Sequence, residues 1–397
     1  MKNNWKQEII LGLQIALSCF PATTVVALIL GLSPSLALFA AGIATIAFAL
    51  ITQGKVPIFL GSSFAFLGGA AIILQRTGDS AYLGGATIVA GMAYLVYAFI
   101  AKTIGIDKIN KFLSPVIVGT MIVLIGTTLM PSALDNIGNT PINWLIAIIT
   151  IAIIIAVQKF GKGLIQIIPI IIGVVAGYIV SAIVGVVDYS ALHSAAWVSL
   201  PPVKLPKFDL SAILILLPLT LSTLLEHIGD VKTASNLVGQ DFFTDPGIHR
   251  TLIGDGVGTM ISGFVGFTPN TSYSEGLAVM ELTGKAHVTY TIIAAITFFI
   301  CSFLGKISGF LLTIPSCVVG AASLVLYYMI ASIGIKTYYR EKVDFNNPKN
   351  LMIAAVMLFF GFSGITFEIG SVSLTGIALA AIIGIILNLT IKEEKNV

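Results

Sequence analysis

Apolar runs of about 20 residues, parted by short polar loops, recur along almost the whole chain. That is the length an α-helix needs to cross a bilayer. Fourteen candidate spans follow, centred near residues 20, 44, 66, 90, 122, 150, 176, 219, 257, 275, 296, 321, 356 and 381. Two of them are interrupted. The third reads VPIFLGSSFAFLGGAA (56–71) and the tenth GFVGFTPNTSYSEGLAVM (263–280). Each passes from an apolar stretch through a small or polar break into a small-residue helix. The breaks, near Ser63 and Ser274, lie roughly 211 residues apart and hold the same place in two halves of seven. Seven is odd, so the halves are expected to run in opposite orientation, the pattern of an inverted-repeat transporter. The expected fold is an all-α polytopic membrane protein with 14 transmembrane segments in two inverted repeats of seven.

Charge supports the same count. With the N-terminus in the cytoplasm, the outward loops hold only Arg76, Lys204, Lys207 and Lys306 of the 21 basic residues. Positive residues favour cytoplasmic loops. Removing the tenth span would turn the basic segment GIKTYYREKVDFNNPKN (334–350) outward, so the bias argues for keeping it. Both termini are then expected in the cytoplasm. No small-residue cleavage motif follows the first apolar run, so it is expected to remain as a span. The longest outward loop, about 188–208, is expected to form a hairpin or cap.

Composition removes several function classes. The chain is 57% hydrophobic and 10% charged, with a mean hydropathy of +1.01, against about 25% charged residues in soluble domains. The net charge of +3 is spread thinly, with no basic patch for nucleic acid. Cys19, Cys301 and Cys317 form no CxxC pair, and the four histidines show no ligand spacing, so no metal or cofactor is expected. HExxH, GxSxG and paired-Asp motifs are absent, which argues against an intramembrane enzyme. No continuous polar pore lining is visible, which argues against a channel.

Two acidic residues stand out from the loops: Glu226, in LLPLTLSTLLEHIGD, and Glu275, just past the break in the tenth span. An Asp centred in a membrane helix costs about 2.5–3.5 kcal/mol on insertion scales, so such a group should face a cavity or a partner. The bland alternative is a carboxylate held by neighbouring hydroxyls. Asp255, in LIGDGVGTMISGF, either joins the site or braces its flanking glycines. Asp230 lies one helical turn beyond Glu226 if that helix continues, or it begins a loop. Glu281 and His227 are weaker candidates, with His227 expected to be peripheral. A buried carboxylate beside a second one can hold a proton near neutral pH. Broken helices also aim free backbone N–H groups at one place. Carboxylates accept from N–H groups and amides donate to carbonyls, while Phe64 or Tyr273 could cover a flat ring. A planar heterocycle with an amide-like edge fits best. A sugar would want more Asn, Gln and Trp; an anion would want Arg or Lys within the membrane.

GSSFAF (61–66), EHIGD (226–230), DPGIHR (245–250) and TPNTSYSEG (268–276) together resemble the nucleobase–ascorbate transporter family, and within it the bacterial uracil permeases. KVDFNNPKNL (342–351) and FGFSG (360–364) extend the likeness over nearly the whole chain. The resemblance implies short strands in spans 3 and 10. It implies a core domain of spans 1–4 and 8–11 (1–107 and 209–309) and a gate domain of spans 5–7 and 12–14 (108–208 and 310–397). It also implies proton-coupled uracil uptake across the cell membrane, with the core sliding against the gate, and often a homodimer. Glu226 and Glu275 would hold the base. Phe64 and Ser274 would offer backbone N–H groups, Tyr273 would line the pocket and Ala22 would lie beside the ring. Proton coupling would fall to Glu226, Asp230, Asp255 or Glu275. The pair Glu275–Gly276 favours a pyrimidine over a purine. Three positions depart from the pattern: Asp230 stands where His is common, Gly276 where Asn is common, and LQIAL (13–17) lacks a His after its Gln. Alternative cargoes on the same fold are xanthine, uric acid or another base, or, less favoured, sulfate or bicarbonate.

Overall fold

The computed structural model describes residues 5–104, 114–365, 367–369, 372–374 and 376–391. Lys2, Lys108, Lys111, Lys392 and Lys395 of the charge pattern, and the expected boundary at 107–108, lie outside the described residues.

The chain begins with two antiparallel apolar helices, α1 (Trp5–Ile29) and α2 (Pro34–Ile51). The strand β1 (Leu60–Ser62), a 3₁₀ turn (Phe64–Phe66) and α3 (Leu67–Thr77) form the interrupted third segment. Next come α4 (Ser80–Ile104), α5 (Pro115–Thr128), α6 (Met130–Ile137), α7 (Pro141–Phe160), α8 (Leu164–Ile167), α9 (Pro169–Val184) and α10 (Ser190–Ser194). The second half holds α11 (Leu210–Leu216), α12 (Thr220–Val238) and α13 (Ile248–Phe264). The interrupted tenth segment is β2 (Asn270–Ser272) with α14 (Ser274–Thr283). It is followed by α15 (Val288–Ser302), α16 (Gly305–Leu312), α17 (Ser316–Arg340), α18 (Pro348–Phe362), β3 (Phe367–Ile369), β4 (Val372–Leu374) and α19 (Gly376–Thr390).

Many of these boundaries are written locally. Pro34, Pro115, Pro141, Pro169 and Pro348 each open a helix, where the missing N–H would be unpaired anyway. Asp209 and Asn347 cap α11 and α18 by accepting from Ala212 N and Lys349 N. Among the described residues seven helices, counting α5–α6 and α11–α12 as continuous, are individually long and apolar enough to cross a membrane; five more apolar helices are shorter. The hairpin of β3 and β4 was not anticipated from sequence; it pairs Phe367 with Leu374 and Ile369 with Val372.

Close approach of α4 and α13 rests on two reciprocal glycine pairs. A Cβ on Gly84 would stand 2.5 Å from Gly263 O, and one on Gly263 would stand 2.6 Å from Gly84 O. Gly91 and Gly256 repeat this two turns along, at 2.6 and 2.8 Å. The glycines flanking Asp255 therefore serve packing: Gly254 lies against Phe48 and Gly256 against Gly91 and Tyr94. Helices α5 and α17 meet in the same manner at Gly119 and Gly334. Gly91→Val is expected to force α4 and α13 apart and destabilise the protein by about 1–3 kcal/mol. A thermal melt of the detergent-purified variant would read this; an unshifted midpoint would show that the pair can slide.

The hairpin expected over 188–208 is a strap. Ser199 N donates to Phe303 O, Gly305 N to Trp197 O, Lys204 N to Val265 O and Lys207 N to Ala81 O. Lys204 and Lys207 also clasp Asp79 at 3.0 and 3.1 Å. The Ala81 N–H, then these two ammonium groups, hold the half-buried Asp79 carboxyl well below the usual carboxylate range. A depressed folded value means the clasp is fully present above the ordinary carboxylate pKa and is lost as pH falls through the lower folded one. The strap is therefore expected to give equal hydrogen-exchange protection at pH 7 and pH 5 and to loosen only in strong acid. Loosening between pH 7 and 5 would show that Asp79 does not hold it.

Candidate functional site

The two interrupted segments meet. β1 and β2 pair antiparallel, Leu60 with Ser272, Gly61 with Thr271 and Ser62 with Asn270. Ser63 N donating to Pro269 O and Tyr273 N to Phe59 O lengthen the ladder at both ends. The ladder is tied to its surroundings by hydroxyls. Thr45 of α2 accepts from Leu60 N at 2.9 Å. Thr259 of α13 donates to Asn270 O at 3.2 Å, and Asn270 Nδ2 donates to Gly258 O at 3.2 Å. Non-helical backbone inside a bundle is tolerated where it is bonded or lines a cavity, and here the ladder and these hydroxyls bond it. Beyond each strand a helix begins mid-bundle. The first-turn N–H groups of the Phe64 turn and of α14 at Ser274 have no partner within their own helices.

Every residue expected at the site converges on this crossing except Asp255, which lies behind it. Glu226 projects from α12 and is exposed, as is Ser274; Glu275 and Phe64 are half-buried, while Tyr273 and Ala22 are buried. Helix α12 continues to Val238, so Asp230 is mid-helix and not the start of a loop. It is buried and accepts from Ser272 Oγ at 2.7 Å and Ser274 Oγ at 2.9 Å. Asp230, Glu275 and Asp255 are electrostatic neighbours of Glu226. Thr271 is also close to the Glu226 carboxylate, its hydroxyl otherwise unpaired. Glu275 accepts from its own backbone N–H at the start of α14. Among the described residues no lysine or arginine forms an ion pair with any of the four carboxylates.

Tyr273 fixes the crossing. Its hydroxyl donates to Ser62 O at 2.8 Å and lies 3.5 Å from Thr23 Oγ1 of α1. Its ring covers Gly61, where a Cβ would stand 2.4 Å from Tyr273 Cζ. Gly276 faces Ile15, Phe59 and Cys19, at 3.4–3.7 Å from a Cβ placed there. The asparagine that the family resemblance leads one to expect at 276 would have to share that space.

His227, expected to play a peripheral role, is fully buried, with Nδ1 3.0 Å from Asp255 Oδ2. Asp255 does not brace its neighbouring glycines; its carboxylate faces α12. The hydroxyls of Ser272 and Ser274 were also missed as partners of Asp230. Alternation gives the clue, since residues two apart in an extended segment share a face, and Ser272 and Ser274 flank Tyr273. Two surface clefts, one lined by Arg76, Tyr82 and Asp209 and one by Lys232, Asn236 and Gln240, lie away from the carboxylates.

Comparisons with known proteins show the family and the fold. A family model described as "Permease family", a model of xanthine and uracil permeases, matches residues 6–370. A probable uracil permease of Haemophilus influenzae is 38% identical over 97% of this chain and 94% of its own length. The uracil permease of Escherichia coli K12 is 37% identical over 97% and 91%. Among solved structures, the murine Slc26a9 anion transporter in the inward-facing state superposes with a TM-score of 0.74 at 13% identity, over 98% of this chain and 68% of that one. That likeness is one of fold.

Proposed function

Because the chain belongs to the nucleobase–ascorbate transporter family, we propose that it is a uracil–proton symporter of the cell membrane. It is a multi-pass membrane protein whose relatives are permeases, not enzymes. One observation carries the cargo assignment. The β1–β2 crossing gathers Glu226 and Glu275 with first-turn amides, giving acceptors for ring N–H groups and donors for ring carbonyls. Phe64 and Tyr273 supply aromatic walls, and Ala22 leaves room beside them. Glu226, Asp230 and Glu275 supply the sites at which a proton can neutralise charge as the base binds. An anion would meet several carboxylates and no paired cation, so likeness of fold to an anion transporter does not extend to cargo.

Alternating access in this reading moves a core of α1–α4 and α11–α15 against a gate of α5–α9 and α17–α19. Helix packing supports the two inverted repeats. The pair α4–α13 has its counterpart in α15–α2, α7–α9 in α18–α19, and α1–α15 in α11–α4, while β1–β2 and α5–α17 pair across the halves. Each counterpart is reached by advancing seven segments. The largest buried cluster joins core and gate. Its core members, such as Val26, Leu36, Phe66, Ala70, Leu83 and Leu216, come from the half expected to face outward. With Glu226 and Ser274 exposed, this supports an inward-open state with both termini in the cytoplasm.

Uptake of radiolabelled uracil into vesicles carrying the protein, with and without an inward proton gradient, tests the reading. Gradient-stimulated uptake that excess xanthine leaves unchanged is expected. Competition by xanthine would move the cargo to purines, and the absence of uracil uptake by inserted protein would overturn the assignment.

A further inference from the structure

Behind the carboxylates lies a second polar unit that substrate recognition does not use. His227 and Asp255 are both 0% exposed. Their approach at 3.0 Å does not have hydrogen-bond geometry, and neither His227 nitrogen nor either Asp255 oxygen has any other partner among the described residues. The surrounding surface is mostly apolar. Phe48 of α2 meets the imidazole edge-on, with ring centroids 6.2 Å apart. Tyr94 of α4 lies near Asp255 but gives its hydroxyl proton to Thr223 Oγ1 at 2.6 Å. Tyr97 of the same helix is paired with Thr220. Leu224, Val231 and Leu252 complete the enclosure.

A buried polar group without a partner is costly, and a buried charge more so. A bare nitrogen and a bare oxygen 3.0 Å apart would set lone pair against lone pair, so the approach is favourable with a proton on His227 Nδ1. With that one proton the pair carries charge −1. A second proton, on Nε2, makes it a neutral imidazolium–carboxylate pair. The unit therefore has two charge states, and its location ties them to the site. On α12, Thr223, His227 and Asp230 are neighbours at i, i+4 and i+7. Both His227 and Asp255 act electrostatically on Asp230, which the hydroxyls of Ser272 and Ser274 link to the β2–α14 break. The titratable groups facing the unit are Tyr94 from α4 and Glu226 and Asp230 from α12.

We propose that His227 and Asp255 form a second proton-holding unit, in which His227 is a positioning residue that couples proton occupancy to Glu226 and Asp230 without touching the substrate. Adding one proton to the unit removes one negative charge from behind Asp230 and Glu226. The inference rests on the proton-symport reading and adds a residue to it.

The chain has four histidines; of these His227 alone pairs with Asp255, and His249 lies in the first turn of α13, six residues before it. Nitrogen-15 histidine spectra of the full chain in nanodiscs, with His227→Gln identifying the signal, read the charge state directly. Saturating uracil at fixed pH is expected to change the protonation of His227. In proteoliposomes, H227Q is expected to keep uracil counterflow while losing at least tenfold of its gradient-driven accumulation. A His227 signal that uracil leaves unmoved from pH 5 to 8 would overturn the proposal, as would intact gradient-driven accumulation by H227Q. If H227Q does not insert, the H227Q/D255N variant, which leaves no buried charge unpaired, is held to the same two criteria. Wild-type protein that takes up uracil without any response to the gradient would overturn the symport reading itself, a result distinct from failure of the His227 assignment alone.

Discussion

Uracil uptake is expected to fall roughly 10- to 150-fold in Glu226→Gln and in Glu275→Gln, corresponding to loss of a charged hydrogen bond worth about 1.5–3 kcal/mol. Glutamine keeps the size of the side chain but exchanges one acceptor oxygen for a donor and removes the negative charge. An N–H of the bound base would then face another N–H. The two variants should differ in a second measurement. Glu275 occupies the first turn of α14 and accepts from its own backbone N–H, so it also steadies the positive end of that half-helix. Its replacement should lower thermal stability by about 0.3–1 kcal/mol. Glu226 is exposed and has no such local duty, so E226Q should melt like the parent. Initial rates at trace uracil, normalised to inserted protein, decide the first point. Unchanged uptake in both variants would remove these carboxylates from the site.

Gly61→Ala should be nearly as damaging although it alters no polar group. The added Cβ would fall 2.4–2.9 Å from three atoms of the Tyr273 ring, where real contacts essentially do not occur. The ring cannot swing aside cheaply. Its hydroxyl is bonded to Ser62 O, its own N–H to Phe59 O, and its ring is packed near Phe59. Relief must come from separating β1 and β2, and the first turns of α3 and α14 would move with them. Overpacking of this kind costs about 1–3 kcal/mol. The functional loss should be larger than that cost implies, because two half-helices must stay in register for the amides and carboxylates to face one ligand. Uptake should fall below one tenth while the protein still inserts. Removing the phenol together with the clash, in G61A/Y273A, should recover part of the stability; failure to do so would show that Gly61 is needed for another reason.

Several features were legible in the sequence because they depend on near neighbours. Runs of apolar residues set the helical segments, prolines at 34, 115, 141, 169 and 348 set five helix starts, and the polar breaks marked where helix must stop. Glu226 and Glu275 were conspicuous because charge in apolar surroundings is rare. Periodicity also placed Asp230 one turn from Glu226. What sequence left open depends on helices more than 20 residues apart. Whether Asp255 met a glycine or His227 depended on the rotation of α13 against α12, which the reciprocal glycine contacts with α4 help to set. The pairing of Asp230 with Ser272 and Ser274 required β2 to lie beside α12 in one register. The β3–β4 hairpin passed unread because two three-residue strands give almost no periodic signal. Hydropathy thus determined that this chain crosses a membrane and which residues cannot rest against lipid. Packing of one half upon the other decided which of those residues meet, because a contact between positions 62 and 273 is a property of two surfaces and of no single stretch of chain.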